Sequence, residues 1–416
     1  MPNDLSAEAV TNAAANLAGV VRRTPLELSE RLSDRAGAPV LLKREDQQLC
    51  RSYKVRGAFH TISSLDPSER ARGVVCASAG NHGQGVAFSC QRLGIKGTVV
   101  VPSTTPRQKR QRIEALGAGW VELVTAGSSY DEADAAARED AARTGAVYVH
   151  PFDDPRTITG QGTVAIELVE QADAGLGTVV VPIGGGGLIA GMALWLREHH
   201  PDVRIVGVEP VGAASMGAAV AAGAPVELAE VDTFVDGAAV ARVGRLTFPL
   251  VRDLVDELVT VPEGAVCTEM LELYQTEGII AEPAGALASA ALRSEVQPVG
   301  GRPVACVVSG GNNDVSRYAE IVERSLLHEG LRHYFLVTFP QEPGALRHFL
   351  DEALGERDDI VLFEYVKKNN RETGPALVGI ELERAEDLAA LRERMDRSGL
   401  RIDPVPAGSP LFEFIL

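Results

Sequence analysis

GVVCASAGNHGQGVAFSCQRLGIKGTVVVP, residues 73–102, decides the fold. GVVCAS and GTVVVP are short β-branched runs, apolar without alternation, as strands buried on both faces require. HGQGVAFSCQRLG between them has helical length and stops at Gly94. Two strands joined by such a helix make a βαβ unit with parallel pairing. The rhythm continues outward. PRQKRQRIEALG reads as a helix stopped by Gly117, WVELVT as a strand, SYDEADAAAREDAARTG as a helix and AVYVHP as a strand, ending near residue 150. GTVVVPI, VRIVGVEP and RPVACVVSG repeat the pattern between about 178 and 310. The expected fold class is α/β, with two parallel-sheet lobes and a cleft between them: a small lobe at about 50–150 and a large lobe from the rest of residues 1–329.

Before the small lobe, Ala7, Val10, Ala14, Leu17 and Val21 recur at helical spacing until Pro25 ends the pattern. PVLLKRED at 39–46 is a short strand, and VRGAFHTISSL at 55–65 a helix. Near residue 330 the composition changes. HYFLVTFP, DIVLFEYVKK, PALVGIEL and LRIDPV read as strands. Pro343 starts a helix whose apolar face is Leu346, Phe349, Leu350 and Leu354, and AEDLAALRERMDRSG is a second helix. The order β-α-β-β-α-β is a ferredoxin-like α+β domain at 330–416.

The chain of 416 residues is 45% hydrophobic and 23% charged, an ordinary globular mix. Its formal net charge is −17, which argues against nucleic acid as a partner. The basic cluster Arg107, Lys109, Arg110 and Arg112 reads as a solvated helix face. The five cysteines, Cys50, Cys76, Cys90, Cys267 and Cys306, are odd in number and lack CxxC spacing, so neither a disulfide scaffold nor a zinc site is expected. MPNDLSAEAV has no basic region followed by an apolar stretch, and Pro182 with Gly184 to Gly187 interrupts the uncharged run Ala174 to Leu196. No signal peptide and no membrane partner are expected, and the cytoplasm is the expected location. A cation site near Glu209 is left open.

Gly184, Gly185, Gly186, Gly187 and Leu188 follow a strand and open a helix. Backbone N–H groups there can converge on one phosphate, where the helix dipole also favours an anion. No Gly-Lys-Ser/Thr follows, so the loop is no Walker motif, and GxGxxG is absent. Ser78-Ala79-Gly80-Asn81-His82-Gly83 is a second strand-to-helix turn that suits a carboxylate; His82 taken alone reads as a capping or core histidine. Lysine chemistry must come from Lys43, Lys54, Lys96, Lys109, Lys367 and Lys368. Lys54, beside Tyr53 and just before a helix at the lobe junction, suits a Schiff base to a phosphorylated aldehyde cofactor. Lys367 and Lys368 read as solvated on a strand end. Ser309 ends the last strand of the large lobe, where ligands of open α/β sheets sit, or else its hydroxyl caps the next helix.

SYKVRGA, SAGNHGQGVA, GGGGLIAG, AEPAGA and VVSGGN, in this order, resemble the pyridoxal-phosphate enzymes of fold type II over roughly 10–325. Within them the sequence is similar to the biosynthetic threonine dehydratases (threonine ammonia-lyases), and FPQEPGALRHFL is similar to their ACT-like regulatory domain, here in one copy. The resemblance implies pyridoxal 5'-phosphate held by Lys54, with Tyr53 and Glu282 bordering the ring. Asn81 would bond the ring hydroxyl and Ser309 would face the pyridine nitrogen. Gly184 to Leu188 would bind the phosphate, and Ser78, Gly80, Asn81 and His82 the substrate carboxylate. It further implies dehydration and deamination of L-threonine, or of L-serine, in isoleucine biosynthesis, with isoleucine as inhibitor, valine as its antagonist, and a homotetramer. Tyr53 stands where phenylalanine is commoner. Ala79 stands where racemases tend to carry an acid/base serine, which points away from racemisation. The alternatives are an L-serine dehydratase or serine racemase of the same fold, and a non-catalytic amino-acid sensor.

Overall fold

The computed structural model describes residues 4–172, 175–365, 371–406, 409 and 411–412. Ala174, where the uncharged run begins, and Lys367 and Lys368 lie outside them. The chain divides into two compact units, Met1–Asp314 and Val315–Leu416. The helix Tyr318–His328 therefore goes with the second unit, whereas the sequence places the boundary after it, at 329/330.

The first unit holds two sheets. The smaller has the order Val121–Thr125, Gly97–Val101, Val74–Ala77, Val147–Tyr148, all parallel. Val74 to Ala77 are buried without alternation, because helices cover both faces. Helix Lys54–Ser63 gives Ala58 and Ile62 to this lobe's core, with Val86, Val99 and Ile113. The larger sheet has the order Leu26–Leu28, Val40–Arg44, Val304–Val308, Thr178–Pro182, Arg204–Pro210, Glu257–Val261. It is parallel except for the pair formed by the first two strands.

The structure corrects several expectations. The N-terminal helix is Ala7–Leu17 and does not reach Val21; Gly19, at φ +75°, turns the chain first. Leu26–Leu28 is a strand that the sequence does not announce; at three residues it is too short to show a period. The strand Val40–Arg44 sits inside the large sheet, beside Val304–Val308, a pairing that sequence distance hides. AVYVHP pairs only over Val147–Tyr148.

Buried ions tie the first unit together. Arg56 of the SYKVRGA motif donates to Glu45 at 2.7 Å and to Glu167 at 2.6 Å, and the Lys43 amine reaches Glu167 at 2.7 Å. All five cysteines are free and buried. Of the basic cluster, Lys109 reaches Asp236 at 2.8 Å, so that helix face is not wholly solvated.

In the second unit the strands Arg332–Pro340, Asp359–Tyr365, Thr373–Glu381 and Arg401–Pro404 form one antiparallel sheet. Helices Ala345–Ala353 and Asp387–Arg397 complete the expected β-α-β-β-α-β order. The first helix buries Phe349 and Ala353, while Leu346 and Leu350, expected in its apolar face, are exposed within the described residues. No helix among the described residues is long and apolar enough to cross a membrane.

Candidate active site

A cleft is lined by Tyr53, Lys54, Asn81, Gly184, Glu282 and Ser309 among others. Chain segments from far apart in sequence meet here. Ser309 follows the strand Val304–Val308, and its carbonyl accepts from the Tyr53 amide at 3.2 Å. The adjoining Ser52 pairs with Gly310, and its hydroxyl accepts from the Lys54 amide at 3.2 Å. Lys54 then starts the helix Lys54–Ser63, so the lysine leaves the large sheet just as the chain enters the small lobe.

The Lys54 amine donates to the Pro151 carbonyl at 3.0 Å and lies 5.3 Å from the centre of the Tyr53 ring. Burial lowers its pKa from 10.5 to about 8, opposed by the negative charge of Glu282. An amine in that range is a nucleophile and a base near neutrality. Burial, reinforced by Asp236, pushes the Glu282 carboxyl up to about 7. The bond from Asn81 Nδ2 to Glu282 Oε1, at 2.6 Å, offsets part of this.

Two sets of backbone amides have no acceptor among the described residues. The N–H groups of Gly184 to Ile189 donate no hydrogen bond among the described residues. They open the helix Gly187–His199, whose N-cap Gly186 has no side chain to satisfy them and sits at φ +89°. A side chain at Gly185 would strike the Phe152 ring, and one at Gly186 would meet Met216 and Thr247. The glycines thus keep the loop narrow and its donors bare, as a phosphate cradle requires. The amides of Asn81, His82 and Gly83, at the start of the helix Asn81–Leu93, are likewise unused among the described residues. Ser78 accepts from the Gly80 amide at 3.2 Å and so shapes that turn.

The expected site residues do not all reach the cleft through their side chains. His82 is buried against the Val149 carbonyl at 2.8 Å, and burial with the nearby Lys54 charge lowers its pKa to about 3. It is therefore a neutral core imidazole that offers the site only its amide. Leu188 points into the large-lobe core. The Ser309 hydroxyl donates to the Ala284 carbonyl at 3.1 Å. Sequence reasoning missed the Pro151 carbonyl, Phe152, Gly237, Ala238 and Asn312. Asn312 alone left a trace, as the last residue of the quoted VVSGGN. Glu209 is buried, with its carboxyl bonded to the amides of Met216 and Gly217, and among the described residues no group of three His, Cys, Asp or Glu could hold a metal.

A partly buried lysine of lowered pKa, a bare-amide glycine loop and a second amide turn at one cleft, on these two largely parallel sheets, define a pyridoxal-phosphate enzyme of fold type II. The family described as pyridoxal-phosphate dependent enzyme matches residues 17–310, and the C-terminal regulatory domain of threonine dehydratase matches 323–415. L-threonine dehydratase biosynthetic IlvA of Mycobacterium tuberculosis is 56% identical over 415 residues, covering 99% of this chain and 96% of its own. The Bacillus subtilis protein of the same name is 47% identical over 407 residues, covering 98% and 96%. Among solved structures, the processed form of threonine deaminase isoform 2 from Solanum lycopersicum superposes with TM-score 0.72 at 39% identity, covering 76% of this chain and 92% of that one. Maize serine racemase superposes with TM-score 0.71 at 34% identity, covering 78% and 98%. The chain belongs to the pyridoxal-phosphate dependent enzymes, among the biosynthetic threonine dehydratases.

Proposed function

We propose that this protein converts L-threonine to 2-oxobutanoate and ammonia, the first step of isoleucine biosynthesis, with L-serine as a second substrate. The observation that carries the reading is the partly buried Lys54 amine, in the cleft that Asn81, Gly184, Glu282 and Ser309 share. The residues present fit pyridoxal phosphate: the bare amides of Gly184 to Leu188 suit its phosphate, Lys54 its aldehyde carbon, Asn81 its ring hydroxyl, and Tyr53 and Glu282 the border of its ring. The Ser309 hydroxyl, turned from the Ala284 carbonyl that it bonds, would give the pyridine nitrogen a neutral partner. Bound there, the cofactor supplies an electron sink for negative charge at the substrate Cα.

The chain's own groups do the rest. The amides of Asn81, His82 and Gly83 hold the substrate carboxylate at a helix N-terminus, in a turn shaped by Ser78 and Gly80. The neutral Lys54 amine takes the Cα proton as general base. A pKa near 8 leaves enough neutral amine at physiological pH to act and enough basicity to be useful. The β-hydroxyl leaves as water, and hydrolysis of the released enamine takes one water back, giving the 2-oxo acid and ammonia.

The second unit is the regulatory domain. It binds isoleucine, which inhibits, with valine as antagonist; the chains assemble as a homotetramer, and the enzyme works in the cytoplasm. What supports the regulatory role is the match of 323–415 to a threonine dehydratase regulatory domain and its ferredoxin-like order. The test is 2-oxobutanoate release from threonine, with and without isoleucine. Racemisation of serine without oxo-acid release would favour the racemase reading, and no turnover of either amino acid the sensor.

A further inference from the structure

Asn312 lies just past the strand Val304–Val308, in the segment that also carries Ser309. Its side-chain nitrogen donates to two oxygens, the Cys50 carbonyl at 2.8 Å and Asn81 Oδ1 at 2.6 Å. A backbone carbonyl can only accept, so Cys50 fixes which end of the Asn312 amide faces it. Asn81 must then turn its oxygen to Asn312 and its amino group to Glu282, where the bond is 2.6 Å. Glu282 is itself held, its amide donating to the Gly310 carbonyl at 3.1 Å. The polarity of the chain Cys50–Asn312–Asn81–Glu282 is therefore single-valued. One hydrogen of the Asn81 amino group goes to Glu282, and the other remains for the cleft that Asn81 lines.

We propose that Asn312 is a positioning residue for the cofactor contact: anchored on Cys50, it sets the direction of the Asn81 amide so that Asn81 presents a donor to the cleft. This rests on the reading of Asn81 as a contact of the pyridoxal-phosphate ring hydroxyl. Without Asn312, only Glu282 holds the direction of Asn81, and its protonated carboxyl can donate as well as accept, so Asn81 can then reverse and present an oxygen, which repels another oxygen acceptor.

The test is a double-mutant cycle on cofactor binding. Apoenzyme of the wild type, Asn81→Ala, Asn312→Ala and the double variant is titrated with pyridoxal phosphate by absorbance, and apoenzyme Tm is recorded alongside. Each single variant is expected to bind about 10-fold more weakly. The double variant should be within about 2-fold of the weaker single variant, because Asn312 acts through Asn81. Asn312→Asp, which places an acceptor where a donor stood, should bind at least as weakly as Asn312→Ala. Wild-type affinity in Asn312→Ala, or losses that multiply in the double variant, would overturn the proposal even if Asn81→Ala is impaired. Wild-type affinity in Asn81→Ala would instead remove the assignment of Asn81, and the proposal with it. A fall in Tm with no coupling in affinity would make Asn312 merely structural and would also overturn it.

Discussion

The rate at which apoenzyme takes up pyridoxal phosphate should report the lowered pKa of Lys54. Only the neutral amine attacks an aldehyde. In water, at a pKa of 10.5, roughly 1 lysine in 3,000 is neutral at pH 7. Burial of Lys54 brings its pKa to about 8, so roughly 1 in 10 is neutral at that pH, a gain of about 300-fold. Mixing apoenzyme with cofactor in a stopped-flow spectrometer should show a rate rising about tenfold per pH unit below pH 7 and levelling off above about 8. Glu282 supplies the charge that holds this pKa up against burial. In Glu282→Gln the break should therefore move to lower pH. A wild-type rate still climbing tenfold per unit at pH 10 would show a solvated lysine, and a break moving upward in Glu282→Gln would refute the electrostatic reasoning.

Lys54→Ala should lose both the cofactor linkage and the base, cutting 2-oxobutanoate release by several orders of magnitude. Gly186→Ala puts a side chain at φ +89° against Met216 and Thr247; it should cost about 1–3 kcal/mol in apoenzyme stability, read by denaturant titration, and weaken cofactor binding. Arg56→Ala leaves Glu45 buried without its guanidinium partner, while Glu167 keeps Lys43, and should cost about 3–5 kcal/mol, seen as a large fall in Tm. The Glu282 carboxyl is raised from 4.5 to about 7 in the fold, so its contribution to stability is full below pH 4.5 and lost as pH rises through 7. Tm of apo Glu282→Gln relative to wild type should accordingly improve from pH 4.5 to 7; a constant difference would count against the shift. A chain ending at Asp314 should keep threonine turnover and lose its response to isoleucine, and an unchanged response would place the effector site in the first unit.

The parallel strands of both lobes are legible in the sequence because continuous apolar runs such as GTVVVP have one stable place, inside a helix-covered sheet. The glycine loop is legible because four successive glycines rarely serve anything but a tight, donor-rich turn. Val40–Arg44 is recognisable as a strand, but not as a central one, since its neighbour Val304–Val308 is set by three-dimensional packing alone. His82 shows the limit in the site: its position in the turn can be read, while the direction of its ring, toward Val149, depends on a residue far along the chain. The same holds for Pro151 and Asn312, whose parts arise from backbone oxygens and amide orientations that no spacing encodes. Leu346 and Leu350 have the helical period of a buried face and are exposed, because period alone does not say how wide the packed stripe is.

Borohydride reduction of the cofactor-loaded protein, with peptide mapping by mass spectrometry, decides whether Lys54 is the lysine that holds pyridoxal phosphate. The expected result is one reduced pyridoxyl adduct, on the peptide carrying Lys54, with concurrent loss of the visible absorbance and of 2-oxobutanoate formation. An adduct on Lys43, Lys109 or any other amine, with Lys54 unmodified, would contradict it.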